Sequence, residues 1–313
     1  MIEHFEIKNL YTNESMTFGF EEEDFLIDEN SLSWGTVNAV INTYNFPEQI
    51  GFDISNSRLL DRQVKITGYV WANISYEQSV KMTEEQYYKE CQKIIEQKKK
   101  KLNSLINPLN DCEILLKNFH LTCRPSSTVS YSTQLKENNE IMCKFTIQMY
   151  CAKPLWKSSR SLFYPLVTTV GLFHFPLTFK PQGIQMGVRT NYSLIAVTNN
   201  GDVTVGAKII LKARGQVINP VVENVYTGEY MRLLHTMQEG EIIEINTSDD
   251  ELTIIGIIDE EQYDYVSKWD FNSDFIQFQK GFNVLGYSAD DETYTNLEIS
   301  MELNENLLEV QDA

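Results

Sequence analysis

Residues Met82–Pro108 read MTEEQYYKECQKIIEQKKKKLNSLINP, and they decide how the rest of the first half must fold. Thr83 precedes Gln86 by three positions, the reciprocal spacing of a capping box, and Met82 with Tyr87 makes the matching hydrophobic staple. Glu84 and Glu85 fall in the first turn, where the helix dipole favours negative charge, and Lys98–Lys101 come late, where it favours positive charge. Tyr87, Cys91, Ile94, Ile95, Leu102 and Leu105 recur at three- and four-residue steps, giving one apolar stripe. Asn107-Pro108 ends the segment, since proline cannot continue a helix and disfavours helix in the residue before it. The stretch predicts one long helix, about 35 Å at 1.5 Å per residue. Its apolar stripe requires a sheet to lie against, and the flanking sequence must supply it.

The totals set bounds. At 313 residues the chain has room for two domains. Hydrophobic residues make up 42% and aromatics 12%, enough for β-type cores. The net charge of −18 argues against a nucleic-acid binder, which needs basic residues to displace phosphate counterions. An acidic surface does suit a protein past which DNA slides without sticking, and it also serves plain solubility. MIEHFEIKN at the start lacks a basic region followed by an apolar core, so no secretory signal is expected. No apolar run reaches membrane-spanning length. Five cysteines, Cys91, Cys112, Cys123, Cys143 and Cys151, are odd in number and form no C-x-x-C; they are expected to be reduced and packed.

Outward from the helix the pattern is β. Phe5 and Ile7, then Met16, Phe18 and Phe20, alternate about a turn at Asn13-Glu14-Ser15, which predicts a hairpin. Residues Trp34–Tyr44 and Gly51–Ile54 carry short β-type runs, and Arg58–Ala72 reads as a strong strand. After the helix, Glu113–Leu121 and Glu140–Tyr150 read as a pair of strands, with the polar stretch Ser126–Asn139 as their projecting, solvent-exposed reach. Pro154, Pro165, Pro176 and Pro181 mark a change of composition, so the division falls between domains 1–155 and 156–313. From Leu194 onward short strands and turn signals such as Asn199-Asn200-Gly201-Asp202 alternate, the pattern of a sandwich or jelly roll. The fold class is therefore mainly β: an α+β first domain, a β-sandwich with one long helix and a projecting hairpin, followed by a β-sandwich.

A search for chemistry returns little. His4, His120, His174 and His235 have no metal-ligand spacing, and H-E-x-x-H, G-x-S-x-G and Gly-Lys-Ser/Thr are absent. Asp270, Asn272 and Asp274 match the first ligands of an EF-hand loop, but the sixth position is Phe275 and the twelfth Gly281, which rules out an EF-hand and leaves a looser calcium loop as the minor alternative. Asp249-Asp250, Glu260-Glu261 and Asp290-Asp291 sit in turn-like contexts and read as solvated loops rather than as a glycosidase pair. Lys98–Lys101 read as a solvated helix face. Tyr263, Tyr265, Trp269 and Phe271 could stack a sugar ring, or fill a core. No catalytic, cofactor-binding or metal-binding residue is expected, and no cofactor.

The order of parts and a series of motifs resemble the distal tail proteins of long-tailed phages, the siphovirus-type tail component family. The first-half matches are Arg62–Val70 (RQVKITGYV), Lys101–Pro108 (KLNSLINP) and Phe145–Trp156 (FTIQMYCAKPLW). In the second half, Asn199-Asn-Gly201-Asp202 is followed by Ile218–Glu229 (INPVVENVYTGE), similar to the family's N-P-x-x-x-N-x-x-T-G-E. Gly240–Thr247 (GEIIEINT) resembles its G-E-x-x-x-I-D-T with Asn246 for the aspartate, and Gly281-Phe-Asn283 resembles its G-x-N. These are turn formers and positions tolerant of positive φ, not catalytic groups. The resemblance implies a structural virion protein rather than an enzyme. Its first domain would form a homohexameric ring at the tail tip, and a galectin-like second domain would project outward. Implied partners are other copies of the chain, the tail tube protein, the tail hub or tail-associated protein and receptor-binding components. DNA would pass through the channel without specific binding, no membrane is involved, and assembly would occur in the host cytoplasm. The alternative is a cell-wall carbohydrate-binding protein acting through the C-terminal β-sandwich and Trp269; a wall hydrolase lacks the necessary constellation.

Overall fold

Residues 4–19, 24–28, 32–134, 136–165, 167–171, 187–191, 194–249 and 251–310 are described by the computed structural model. The chain forms two compact units, residues 1–159 with 308–313, and residues 160–307. Among the described residues no helix is long and apolar enough to cross a membrane.

In the first unit β1 (His4–Asn9) and β2 (Ser15–Gly19) form the expected hairpin, and β3 (Phe25–Ile27) lies parallel beside β2. A separate two-stranded ribbon follows, β4 (Ala39–Tyr44) and β5 (Asp53–Leu59). Next come β6 (Arg62–Trp71), the short α1 (Tyr76–Ser79) and the long α2 (Glu84–Leu105). The unit continues with β7 (Cys112–Leu116), β8 (Phe119–Pro125), β9 (Ser130–Tyr131), β10 (Met142–Cys151) and the start of β11 (Trp156–Pro165). Strand pairing runs β1-β2-β3-β6-β10-β8-β7 and returns to β1. The expected sandwich is thus closed on itself, which removes the free edges that would otherwise invite mispairing. Alternation explains the filling: Phe5, Ile7, Phe18, Ile66, Val70, Phe145, Ile147 and Met149 are all buried. Phe18, Phe25 and Phe145 pack with ring centroids 5.4 to 6.3 Å apart. Gly68 is required here, because a Cβ would stand 2.2 Å from the Leu26 carbonyl oxygen.

The seam between β8 and β10 has only two paired positions, Met149 with Pro125 and Tyr150 with Arg124. Cys151 and Cys123 are next in register, and they are joined as a disulfide. This corrects the expectation of five reduced cysteines: strand pairing brings the two Cα atoms within 4.2 Å, although 28 residues separate them in sequence. Cys91, Cys112 and Cys143 are free and buried.

The helix follows its sequence signals. Gln86 N–H donates to Thr83 Oγ1 at 3.4 Å, and Thr83 N–H donates to Gln86 Oε1 at 3.0 Å, closing the capping box. Cys91, Ile95, Leu102 and Leu105 are its buried stripe. Rather than lying flat on a sheet, its second half spans one end of the closed sheet. Lys98 Nζ donates to the carbonyl of Trp71 at the end of β6, Asn9 Nδ2 donates to the Leu105 carbonyl, and Ser104 reaches Glu14. Two further expectations need correcting. Lys98 is not a solvated residue: its side chain is 13% exposed and pairs with Asp24 at 2.8 Å. The last helical turn carries no basic residue, and Lys99 lies over the Tyr131 ring at 4.9 Å. Nor does 126–139 project. Glu113–Leu121 turns at Lys117 to make the β7–β8 hairpin, and β9 then folds back along β10, with Tyr131 opposite Phe145. Tyr131 Oη donates to Asn103 Oδ1 at 3.0 Å, which ties β9 to the helix.

The second unit is a β-sandwich. Its strands are β12 (Val167–Gly171), β13 (Gly187–Asn191), β14 (Leu194–Asn199), β15 (Ala207–Ala213), β16 (Val217–Asn224), β17 (Glu229–Arg232) and β18 (Thr236–Met237). They continue through β19 (Ile242–Asn246), β20 (Thr253–Ile258), β21 (Glu261–Asp264), β22 (Gly281–Asp290) and β23 (Leu297–Leu307). One layer runs β21-β20-β19-β15-β23; the other runs β14-β22-β16-β17, with β18 beside β16. Ile209, Leu211, Ile243, Ile245, Ile254, Ile299 and Met301 from one layer meet Val197, Val222, Met231, Leu285 and Tyr287 from the other. Pro176 and Pro181 of the expected irregular stretch lie outside the described residues, as do His174 and Asp250.

Candidate docking surface

The second-half motif residues act as staples. Asn199, Asn224 and Asn283 are all fully buried. Asn199 Nδ2 donates to the Val203 and Phe278 carbonyls, while its Oδ1 accepts from Gly201 N–H. Asn224 Nδ2 donates to the Gln277 carbonyl and to Asn283 Oδ1, and Asn283 Nδ2 donates to the Gln279 and Gly281 carbonyls. Thr247 Oγ1 accepts from Ala207 N–H at 2.9 Å. Each buried amide therefore satisfies loop backbone that would otherwise be unpaired.

The sequence-level candidates for chemistry do not converge. Among the described residues no group of three His, Cys, Asp or Glu is placed to hold a metal ion. Asp270 Oδ1 accepts from the backbone and side-chain N–H groups of Asn272, both at 3.0 Å, so the loop's oxygen is spent on its own turn. Glu260 and Asp291 are turn residues with positive φ, and Asp290 pairs with Arg232 at 2.7 Å. His120 lies 3.9 Å from Glu113, with burial depressing its pKa. Trp269 packs on Phe275 at 4.7 Å and on Phe271 at 5.4 Å, and its Nε1 donates to Ser273 Oγ. Tyr265 points inward and Tyr263 outward, so the four aromatics form no common platform.

One buried titratable cluster escaped the sequence reading. Glu241, 3% exposed, accepts from His235 Nε2 at 2.7 Å and from Gln238 N–H at 2.9 Å, one on each oxygen. Lys268 Nζ sits over the Tyr265 ring, and burial together with Glu241 pushes the Tyr265 phenol up to about 12. With both carboxylate oxygens engaged, Glu241 serves the loop before β19 rather than a reacting group.

The feature that stands apart is the β4–β5 ribbon. Every residue of both strands is exposed. The register sets its two faces, because directly paired residues share a face. Ala39 with Leu59, Ile41 with Ser57 and Thr43 with Ile54 form one face. Val40 with Arg58, Asn42 with Asn56 and Tyr44 with Asp53 form the other. Asn42 Nδ2 donates to Asn56 Oδ1 across that second face. The first face is the more apolar, with Ile41 54% exposed and Ile54 64%, one on each side of a register shift between Asn42 and Thr43. The tip adds Phe46, Ile50 and Phe52, all exposed. An isolated two-stranded ribbon is marginal in water, and a contiguous uncovered apolar face marks an interaction site. The sequence shows the two β-type runs but not their register, without which the sidedness is invisible.

Residues 200–300 match the model described as siphovirus-type tail component, C-terminal domain. Over 96% of this chain and 98% of the other, the fold is similar to that of SPP1 Dit (gp 19.1), described as a paradigm of hub adsorption apparatus in Gram-positive infecting phages, at 12% identity and a TM-score of 0.60. A chain of the phage P2 baseplate in its activated conformation with Ca matches over 96% and 98%, but at 9% identity and a TM-score of 0.44 it carries no weight. No curated protein matches the chain. Over residues 200–300 this chain is similar to the C-terminal domain of the siphovirus-type tail component family.

Proposed function

We propose that this chain is a structural distal tail protein of a phage-type tail, not an enzyme. Six copies close into a ring through their first units, joining the tail tube to the tail-tip hub around a channel for DNA. The second unit, a galectin-like sandwich, projects outward and anchors receptor-binding components. Its workplace is the virion tail tip, after assembly in the host cytoplasm. The observation that carries this reading is the uncovered face of β4–β5 on a chain whose residues 200–300 match a tail-component domain. In a cyclic assembly one patch of each copy meets a different patch of the next, and the rotation closes. The ribbon is the patch offered here. The acidic balance of −18 suits a channel wall that DNA passes without adhering. The sugar-binding alternative loses its anchor, since the Trp269 indole is occupied by Phe275 and Ser273. Size-exclusion chromatography with light scattering tests the proposal. Concentration-dependent assembly toward a six-copy mass supports it, and a strict monomer at high concentration, with tail partners also present, overturns it.

A further inference from the structure

The ribbon leaves the body of the first unit at a foot made by residues 33–38 and 60–65. Ser33 and Lys65 exchange two backbone hydrogen bonds of 2.9 and 2.8 Å, and Leu60 N–H donates to the Asn38 carbonyl at 2.8 Å. Gly35, at φ +74°, lies so close to β6 that a Cβ would stand 2.1 Å from the Gln63 carbonyl oxygen. Trp34 wedges its ring edge-on between Phe5 at 5.0 Å and Trp156 at 5.5 Å.

Beneath this foot is Arg62, the first residue of β6, only 1% exposed. Its Nη1 donates to the Trp34 carbonyl at 3.5 Å and its Nη2 to the Leu308 carbonyl. Its Nε is buried without a partner. Glu309, exposed beside it, is the opposing charge that acts on the guanidinium. A buried guanidinium is tolerated only while its hydrogen bonds and counter-charge are present. Most of that compensation comes from residues 308–309, which follow β23 and belong to the first unit. Without them, one long contact to Trp34 would remain.

We propose that residues 308–309 form a latch that holds Arg62 inward and so fixes the foot, and with it the direction, of the β4–β5 ribbon. This rests on the reading of the ribbon as the docking surface. With the latch seated, Arg62 bridges the Leu308 and Trp34 carbonyls and the foot is rigid. With the latch away, the guanidinium turns to water, and the leg at Trp34 loses its side-chain tie to β6, leaving the Ser33–Lys65 backbone pair to hold it alone. Arg62 is thus a positioning residue, acting through the foot.

Amide hydrogen exchange resolved by residue tests this in three full preparations: the unaltered chain, a chain ended at Leu307, and Arg62→Met. Exchange at Ser33, Leu60 and Lys65 is expected to accelerate at least tenfold in both variants, with the β6–β10 amides of Thr67 to Val70 and Cys143 to Thr146 unchanged. Equal foot protection in all three overturns the latch. Acceleration spread evenly through β6 and β10 also overturns it, because that reports general destabilisation. If Arg62→Met does not fold, the chain ended at Leu307 decides alone. Light scattering on the same samples separates the two ideas. A loosened foot with impaired assembly supports both. A loosened foot in a protein that never assembles, even unaltered, keeps the latch and removes the docking role.

Discussion

Replacing Ile41 and Ile54 together by glutamate tests the ribbon most sharply. Both lie on the apolar face, and each is already more than half exposed within its own chain. Nothing in the first unit's core depends on them, so the folded monomer should lose no more than about 0.5 kcal/mol. Docking is different. Full burial of an isoleucine contributes about 1.5–3 kcal/mol, and roughly half of that is still available at each position, so the pair supplies about 2 kcal/mol per contact. At about 1.4 kcal/mol per factor of ten, losing it weakens each contact roughly 30-fold, before the added desolvation of two carboxylates. The assay is sedimentation velocity across a hundredfold concentration range, beside thermal unfolding of the same samples. Asn56→Asp, on the opposite face, is the charge control, since the new carboxylate still accepts from Asn42 Nδ2, and it should assemble nearly as the unaltered chain does. A double variant that assembles normally refutes the role of this face. One that melts well below the unaltered chain refutes the claim that the face is free within the monomer.

Three other outcomes follow from the fold. Thiol titration of freshly unfolded protein should find three free thiols out of five cysteines. Cys151→Ser should destabilise the first unit by roughly 3–4 kcal/mol, the entropy of a loop of about 28 residues, and should remove the effect of reductant on melting. Five free thiols before reduction would exclude the disulfide. Thr83→Ala should weaken the first unit by about 1 kcal/mol through loss of the cap, seen as a lower urea midpoint with an unchanged slope. Desolvation pushes the Tyr131 phenol up to about 12 in the folded state, against a normal value of 10.0. The proton is then held more tightly when folded, so this contribution is fully present below pH 10 and fades as the pH rises toward 12. Tyr131→Phe should therefore flatten the alkaline loss of stability; an unchanged alkaline limb would contradict the buried setting of Tyr131.

Local signals were legible where they act over a few residues. The capping box at Thr83 and Gln86, the turn at Asn13–Ser15 and the asparagine motifs could each be read because their partners lie near in sequence, or because buried asparagines recur at turns. Long-range geometry could not. The disulfide depends on the register of β10 against β8, which the cysteine spacing does not encode. Lys98 looked solvated because Asp24 and the end of β6 become its neighbours only once the sheet has closed. The stretch 126–139 looked like a free arm because its polarity hides the return of β9 onto β10, whereas the real arm, 39–59, carries the β-branched and aromatic residues of a core strand. A surface meant for another molecule has the composition of an interior, so sequence patterning alone assigns it to the wrong place. Arg62 posed the same difficulty, since its main partner stands 246 positions away.

Electron microscopy of the purified, assembled chain tests the central claim most directly. Rings of six copies around an open hole are expected, with the β4–β5 ribbon of each copy lying on its neighbour. Isolated single particles at high concentration, or an assembly with no channel, would contradict it.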